Sequence, residues 1–532
     1  MGPFAGPKAV QDPPGEGGQN SFLLRRALLA ALSGVLLILI FPKFNFEPLA
    51  WVVLVPLLAA IEGVSPRRAF WLGWLFGLVG YVGILHWLTG TMVRYGGLPG
   101  PTGVMVMLLL VLYISLYTAG FAYLLVRVAG ERPLLRFAFA PVLWTTLELV
   151  RTHFLTGFPW GSLGYAQFLT LPVIQVADLT GVYGVSFLLV LVNAGVWHLL
   201  RHRRERGLAV GVTTDLIVLA VLIYGNLRLR QYEVLLAERQ SSSGVQPVRV
   251  ALLQGNIEQA VKWDRSFQEE TLAIYRDLTL QAKAKNPDLI VWPETAAPFF
   301  FTRDREPREV VMGIAEEAGV PLLFGGLAVD EGSGVSRPLN SAFFLSSNGS
   351  LLGRYDKIHL VPFGEHVPLG FLRPLFAGIL QAVGEFSSGS ERVVLEGPGG
   401  PFSALICYEI IFPNEVRQFV RGGARYLVNL TNDAWFGHTA APFQHVAAVA
   451  LRAVENRVPI VRAANTGITG VIDPTGQIRQ PTDLFVRTQV TAEVLPRGET
   501  LSAYAAYGDV FAYLSSAIVL VVLGLSKFGR RR

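Results

Sequence analysis

From Leu23 to Asn226 the chain alternates long apolar runs with short polar or basic loops, the runs falling at about 24–41, 47–62, 67–90, 101–129, 134–151, 181–200 and 208–226. Most approach the ~20 residues a helix needs to cross a bilayer. An eighth run, about 508–526, follows a long stretch of ordinary polarity. If all eight cross, the loops fall on alternating sides. One side collects Arg25, Arg26, Arg67, Arg68, Arg127, Arg132, Arg136, Arg201, Arg203, Arg204, Arg206, Lys527 and Arg530 to Arg532, while the other short loops hold little beyond Lys43, Arg94 and Arg151. Basic loops stay cytoplasmic, so both termini are expected inside and residues 227–507 outside. The pattern divides the chain into a disordered N-terminus (1–20), a transmembrane domain (21–226), an aqueous domain (227–507) and a C-terminal span with a basic tail (508–532). No small-residue cleavage site follows the first run, so it is expected to stay as a span.

Within 227–507 the period shortens. Val248 to Leu253 alternates as a strand does, Asp288 to Trp292 is a second apolar strand, and Val320 to Leu327 another. Ser266 with Glu269 predicts a capping box for a helix with Phe267, Ile274, Leu278 and Ala282 on its apolar face, and Glu306 to Gly319 predicts a second helix. Two runs, 341–347 and 351–355, flank Asn348-Gly349, a strong hairpin signal. Ala404 to Ile406 reads as a buried strand, and Pro413 opens a short helix closed by Gly422-Gly423. A strand from Tyr426, a helix over 441–455, a strand from Pro459, a turn at Asp473-Pro474-Thr475-Gly476 and a strand near 490–494 complete the domain. Strands alternating with helices predict a layered α/β sandwich.

Composition agrees with spans plus an aqueous domain: 52% hydrophobic and 16% charged residues, with a mean hydropathy of +0.44. The net charge of +6 lies in the loops on one side of the membrane, so it implies no nucleic-acid partner. A single cysteine, Cys407, excludes an internal disulfide.

Three strand ends carry reactive side chains. Glu294 follows Leu289-Ile290-Val291-Trp292-Pro293, Lys357 follows Leu351 to Asp356, and Cys407 follows Ala404-Leu405-Ile406. Ligand sites in α/β folds gather outside strand ends, so a shared cleft is expected. A thiol at a strand-to-helix turn becomes a nucleophile when nearby helix N-termini or cations lower its pKa; the alternative is a small buried hydrophobe. His359, His366, His438 and His445 lack metal-ligand spacing and read as hydrogen-bonded or surface histidines, so no metal is expected. The loop from Thr152 to Val173, with Phe154, Phe158, Trp160, Tyr165 and Phe168, suits a lipid–water interface or packs on its neighbours.

Val291-Trp292-Pro293-Glu294, the run from Tyr355-Asp356-Lys357 to Gly364-Glu365, and Ile406-Cys407-Tyr408-Glu409 resemble, in order, the Glu-Lys-Cys motifs of the nitrilase (carbon-nitrogen hydrolase) superfamily. Gln254-Gly255-Asn256 with Lys262-Trp263-Asp264, Thr431 to Gly437, Gly157-Phe158-Pro159-Trp160 and the spans narrow the resemblance to its apolipoprotein N-acyltransferase family over about residues 21–530. The resemblance implies an αββα sandwich, a bacterial inner membrane, a periplasmic catalytic domain and no cofactor. It implies a phospholipid acyl donor, a diacylglyceryl apolipoprotein acceptor, and a monomer in the lipid bilayer. Cys407 would then be the nucleophile, Glu294 the base and Lys357 the oxyanion partner. Glu365 and Glu409 would support them, or serve as buried ion-pair partners. Trp263, Tyr408 and Trp435 would wall the site, or be core aromatics; Phe158 and Trp160 would meet lipid. A membrane-anchored amidase and an inert scaffold or channel are the competing expectations.

Overall fold

The computed structural model of the protein describes residues 16–202, 205–241, 247–259, 262, 264–330, 337–367 and 385–528. Helix α1 (Glu16–Ile40) begins inside the stretch expected to be disordered and leads through a short 3-10 turn (Glu47–Trp51) into α2 (Val55–Ala60). There follow α3 (Pro66–Leu85), α4 (Trp87–Arg94), α5 (Gly100–Ala129), α6 (Pro133–His153), two single-turn helices α7 (Leu171–Ile174) and α8 (Ala177–Thr180), α9 (Val182–Arg201) and α10 (Glu205–Ser241). Among the described residues six helices, α1, α3, α5, α6, α9 and α10, are long and apolar enough to cross a membrane.

The second expected span is not one helix. Prolines open both of its pieces, and a residue without an N–H cannot continue the helix before it. The segment still runs back along α1: Phe46 N donates to Leu39 O near one end, and Arg26 donates to the carbonyls of Ala60 and Glu62 at the other. Helix α10 does not stop near 226 but continues over 37 residues, about 55 Å of rod. It crosses α7 so closely at Gly225 that an added Cβ would lie 1.8 Å from the Pro172 carbonyl oxygen, so no larger residue fits there.

The α/β domain holds two sheets. Strands β1 (Val248–Gln254), β2 (Leu289–Val291), β3 (Ala297–Phe300), β4 (Leu322–Asp330), β5 (Arg337–Leu345) and β6 (Leu351–Asp356) precede β7 (Leu395–Gly397), β8 (Gly400–Ile406), β9 (Tyr426–Thr431), β10 (Ile460–Ala464), β11 (Gly470–Ile472), β12 (Ile478–Arg479) and β13 (Thr488–Val494). One sheet has the order β13-β1-β2-β4-β5-β6, with β3 also paired to β4; the other runs β12-β11-β10-β9-β8-β7. Both faces of the central strands are buried, which requires apolar residues throughout. Val250 and Leu252 of β1 face the second sheet, in a core shared with Ala404, Ile406 and Val428. Ala251 and Leu253 face α11 (Gln268–Lys283) and α12 (Arg305–Ala318). Helices α13 (Pro413–Arg421) and α14 (Ala441–Asn456) cover the second sheet, giving the expected αββα sandwich, and α15 (Ala503–Tyr507) leads into α16 (Val510–Phe528), a shorter apolar helix where the eighth span was expected.

One cap differs from the expectation. Asp264, not Ser266, accepts at the start of α11, taking both the N–H and the hydroxyl of Ser266. A carboxylate is the stronger acceptor, the 3-10 turn it caps delays the α-helix to Gln268, and Phe267 stays 38% exposed instead of joining the apolar face.

The α/β domain rests on one end of the helical bundle. Lys43, Trp87, Trp160, Gln175 and Asp178 all hydrogen-bond to it. At the opposite end Arg26 and Arg201 gather around Glu62.

Candidate active site

Strand β2 is parallel to β4, and the two antiparallel steps through β5 return β6 to the same direction. Glu294 and Lys357 therefore leave the first sheet on one edge. Cys407 leaves β8 of the second sheet to meet them. The Lys357 ammonium lies 3.7 Å from Glu294 Oε1, and both charges act on the Cys407 sulfur. The three residues are 1%, 6% and 8% exposed in that order. Glu294 Oε1 accepts from Asn340 Nδ2 at 2.9 Å, while its Oε2 is buried without a hydrogen-bond partner among the described residues.

Glu365 is a direct neighbour of the lysine, with Nζ at 2.8 Å from Oε1. Its other oxygen accepts from Val361 N, and Asn340 Nδ2 also donates to Oε1 at 3.1 Å. Asn340 thus ties both carboxylates together. Nothing in its own motif marks it, but the hairpin register does: Ser341 faces Asp356, so Asn340 lies opposite Lys357, whose N–H it accepts at 2.9 Å. Glu409 works through backbone. It accepts from the N–H groups of Ile358 and His359 beyond the lysine, from Ile406 before the cysteine, and from the Tyr355 hydroxyl. Burial pushes its carboxyl up, to about 7, against the bonds from Ile406, Tyr355 and His359 and the charge of Lys357. Tyr408 is buried beside His359 and Phe412.

The resting thiol is not the low-pKa group expected from its turn. Burial, then Glu294, pushes it up, and Lys357 and a hydrogen bond from Thr431 pull it down. Lys357 is itself held protonated, because Glu365 and Glu294 outweigh the burial that opposes its charge. Burial and Lys357 depress His359 to about 4, so it is neutral at physiological pH.

Beneath the cysteine lies a layer of Thr431 and Asp433, from a motif of the resemblance, and His445, which proves to be hydrogen-bonded. His445 Nε2 lies 3.3 Å from the Cys407 carbonyl, so that nitrogen must carry the proton. Burial, then Arg462, lowers the histidine's pKa; in the neutral ring Nδ1 accepts from Arg462, 3.2 Å away. Against burial, Arg462 holds Asp433 down, to about 2. Thr431 Oγ1 donates to Asp433 Oδ1 at 3.1 Å and also bonds the sulfur, so its one proton serves either. The usable signal was register again: Ile406 pairs with Leu430, which sets Thr431 beside Cys407.

The other predicted residues lie at the junction with the bundle. Trp160 is buried, donates to Gln444 Oε1 at 2.7 Å and packs on Trp87, Phe436 and His445. Phe158 is partly buried in the same core, and Trp435 sits edge-on to Tyr95. The loop from 152 thus packs inward through Trp160, Tyr165 and Phe168, leaving Phe154 and Leu155 exposed. Trp263 lies outside the described residues.

Two family matches divide the chain as the fold does. Residues 249–500 match the carbon-nitrogen hydrolase family, so the sandwich with its buried acid, lysine and thiol belongs to a carbon-nitrogen hydrolase-type protein, and residues 33–195 match the apolipoprotein N-acyltransferase N-terminal domain. An apolipoprotein N-acyltransferase of Geobacter metallireducens is 46% identical over 508 residues, 94% of this chain and 95% of that one. One of Allorhizobium ampelinum is 35% identical, covering 94% of this chain and 96% of its own. The chain belongs to the apolipoprotein N-acyltransferase family. It is a bacterial membrane acyltransferase of lipoprotein N-acylation. The sandwich is also similar to an amidase of the nitrilase superfamily from Nesterenkonia, at 20% identity and a TM-score of 0.38, covering 49% of this chain and 94% of that one.

Proposed function

We propose that the protein transfers a fatty acyl chain from a phospholipid to Cys407 and then to the N-terminal amine of a diacylglyceryl-cysteine lipoprotein. The observation that carries this reading is Glu294 Oε2, a buried acceptor without a partner among the described residues, whose charge acts on the only thiol. A carboxylate held this way takes the thiol proton as sulfur attacks the ester carbonyl. Lys357, with a backbone N–H near Tyr408, faces the oxyanion, and each such donor lowers the barrier by about 3 kcal/mol. The tetrahedral adduct collapses as Glu294 returns its proton to the departing lysophospholipid oxygen, leaving a thioester. The lipoprotein amine then attacks the thioester and gives up a proton to Glu294, the C–S bond breaks to leave the amide, and Glu294 returns that proton to the departing sulfur. Glu365 fixes Lys357, Glu409 holds the two active loops together, and Tyr408 lines the cleft. Trp435, Phe158 and Trp160 border the path to lipid.

The basic ends of the bundle lie opposite the α/β domain, which supports a cytoplasmic position for both termini and a periplasmic one for the domain. A single chain holds the whole set of reacting groups, in keeping with a monomer.

The test is a trapping experiment. Full-length protein incubated with phospholipid carrying a labelled acyl chain, and no acceptor, should gain hydroxylamine-sensitive label on Cys407. Adding a diacylglyceryl peptide should move the label to its amine. A Cys407→Ser variant that still accumulated normal N-acylated lipoprotein would overturn the mechanism, as would wild-type protein that never held the label.

A further inference from the structure

The pocket has a second buried lysine that the steps above do not use. Lys262, in the loop after β1, is 2% exposed, and its ammonium donates to the backbone carbonyl of Glu294 at 3.0 Å. An ammonium has three donors, and the other two are unspent among the described residues. The groups around it are the Glu294 carboxylate and the Cys407 sulfur. The sulfur in turn faces Glu294 from the end of β2, Lys357 from the end of β6 and Asp433 from the end of β9, which Arg462 neutralises from behind.

Counting charge exposes a deficit. Two carboxylates, Glu294 and Glu365, flank one ammonium, Lys357, and Glu409, partly ionised at neutral pH, adds to them. Passing the Cys407 proton to Glu294 leaves that deficit in place and moves negative charge onto sulfur, in a pocket closed to solvent where unbalanced charge is most costly. We propose that Lys262 is the pocket's second cation, which offsets the carboxylates crowded around Lys357 and so stabilises the Cys407 thiolate. Its bond to the Glu294 carbonyl also holds the base's main chain against the loop after β1. The inference rests on Cys407 being the nucleophile but not on which acyl donor or acceptor the protein uses. Burial lowers the Lys262 pKa to about 8, so its charge is present at neutral pH and lost above it.

The lone thiol makes the test direct. The full chain in detergent is treated with iodoacetamide between pH 6 and 10, and the single adduct is followed by intact mass. A Lys262→Met variant should react about tenfold or more slowly at pH 7, since a unit charge at short range in a buried site shifts a pKa by at least one unit. The difference should vanish by pH 10, where the wild-type lysine is also neutral. Lys262→Arg should keep the fast reaction at pH 7. A Met profile superimposable on wild type, or slower by one factor at every pH as a purely structural role would give, overturns the proposal. Should neither variant fold, wild-type protein decides: loss of the lysine charge near pH 8 should flatten the rise of log rate with pH, and a straight rise through 8 overturns it. Failure of acyl transfer from phospholipid would leave these alkylation profiles unchanged, so the two readings fail separately.

Discussion

At Cys407 the backbone takes φ +52°, a left-handed conformation that a side chain normally avoids. Thr295, directly after Glu294, has φ +47°, and Asn256 and Phe363, in the loops after β1 and Lys357, have φ +52° and +62°. Strain of this kind costs about 1–3 kcal/mol per residue and persists only where surrounding bonds over-determine it. Around Cys407 those bonds are His445 on its carbonyl and Glu409 on the Ile406 N–H. A His445→Leu variant should therefore lower both stability, by about 1–3 kcal/mol for the stranded carbonyl, and the rate of thioester formation, as read by thermal unfolding and labelled-phospholipid trapping. Glu294→Gln keeps the shape but removes the base, and should slow acylation of Cys407 by about 10²–10⁴-fold while leaving the melting temperature close to wild type. The acid, lysine and thiol were legible because each closes an apolar strand with a motif of its own. Lys262 and Thr431 stand in motifs of the resemblance and His445 reads as a hydrogen-bonded or surface histidine, but their roles, like that of Asn340, were not legible, since they depend on which segments become neighbours, and a single chain's pattern does not encode pairing across sheets.

Among elements, the strands and α12 stood out because their residues are apolar on both faces or on one clear stripe, and the turns because Asn348-Gly349 and Asp473 to Gly476 allow little else. The breaks were hidden. A window of apolar residues reads as one span whether or not Pro48 and Pro56 divide it, and polarity changes too gradually along α10 to mark where it leaves the lipid. Short β3 and β7 have too few residues to show a period. A close main-chain contact near the site lies between β4 and the Glu294 turn. A Cβ on Gly325 would sit 2.5 Å from Thr295 N and 2.7 Å from Glu294 Cα, both main-chain atoms with no rotamer to give way. Gly325→Ala should displace the base and cut activity far more than its cost in stability implies, a contrast measurable by comparing trapping rate with melting temperature; equal, small losses would contradict it.

For the whole molecule the decisive joint is Gln444 on α14. Its Oε1 accepts from the indoles of Trp87 and Trp160, and its Nε2 donates to the carbonyls of Ile84 and Pro42. Both amide groups of one residue in the sandwich are thus spent on the bundle, and the next residue, His445, supports the nucleophile. Gln444→Leu strands two buried donors and two carbonyls, each worth about 1–3 kcal/mol; the full chain in detergent should melt well below wild type, whereas an unchanged transition would mean the joint is held elsewhere. Asp178 makes a second joint, accepting from Arg228 of α10 and from Arg457 of the sandwich. The 37-residue rod is therefore pinned to the domain it carries. Such a pinned rod gears height to angle: in a thinner bilayer it must lean to hide its apolar length, and leaning swings the catalytic layers with it. Turnover in vesicles should then follow the acyl length of the surrounding lipid even when the donor molecule is held the same.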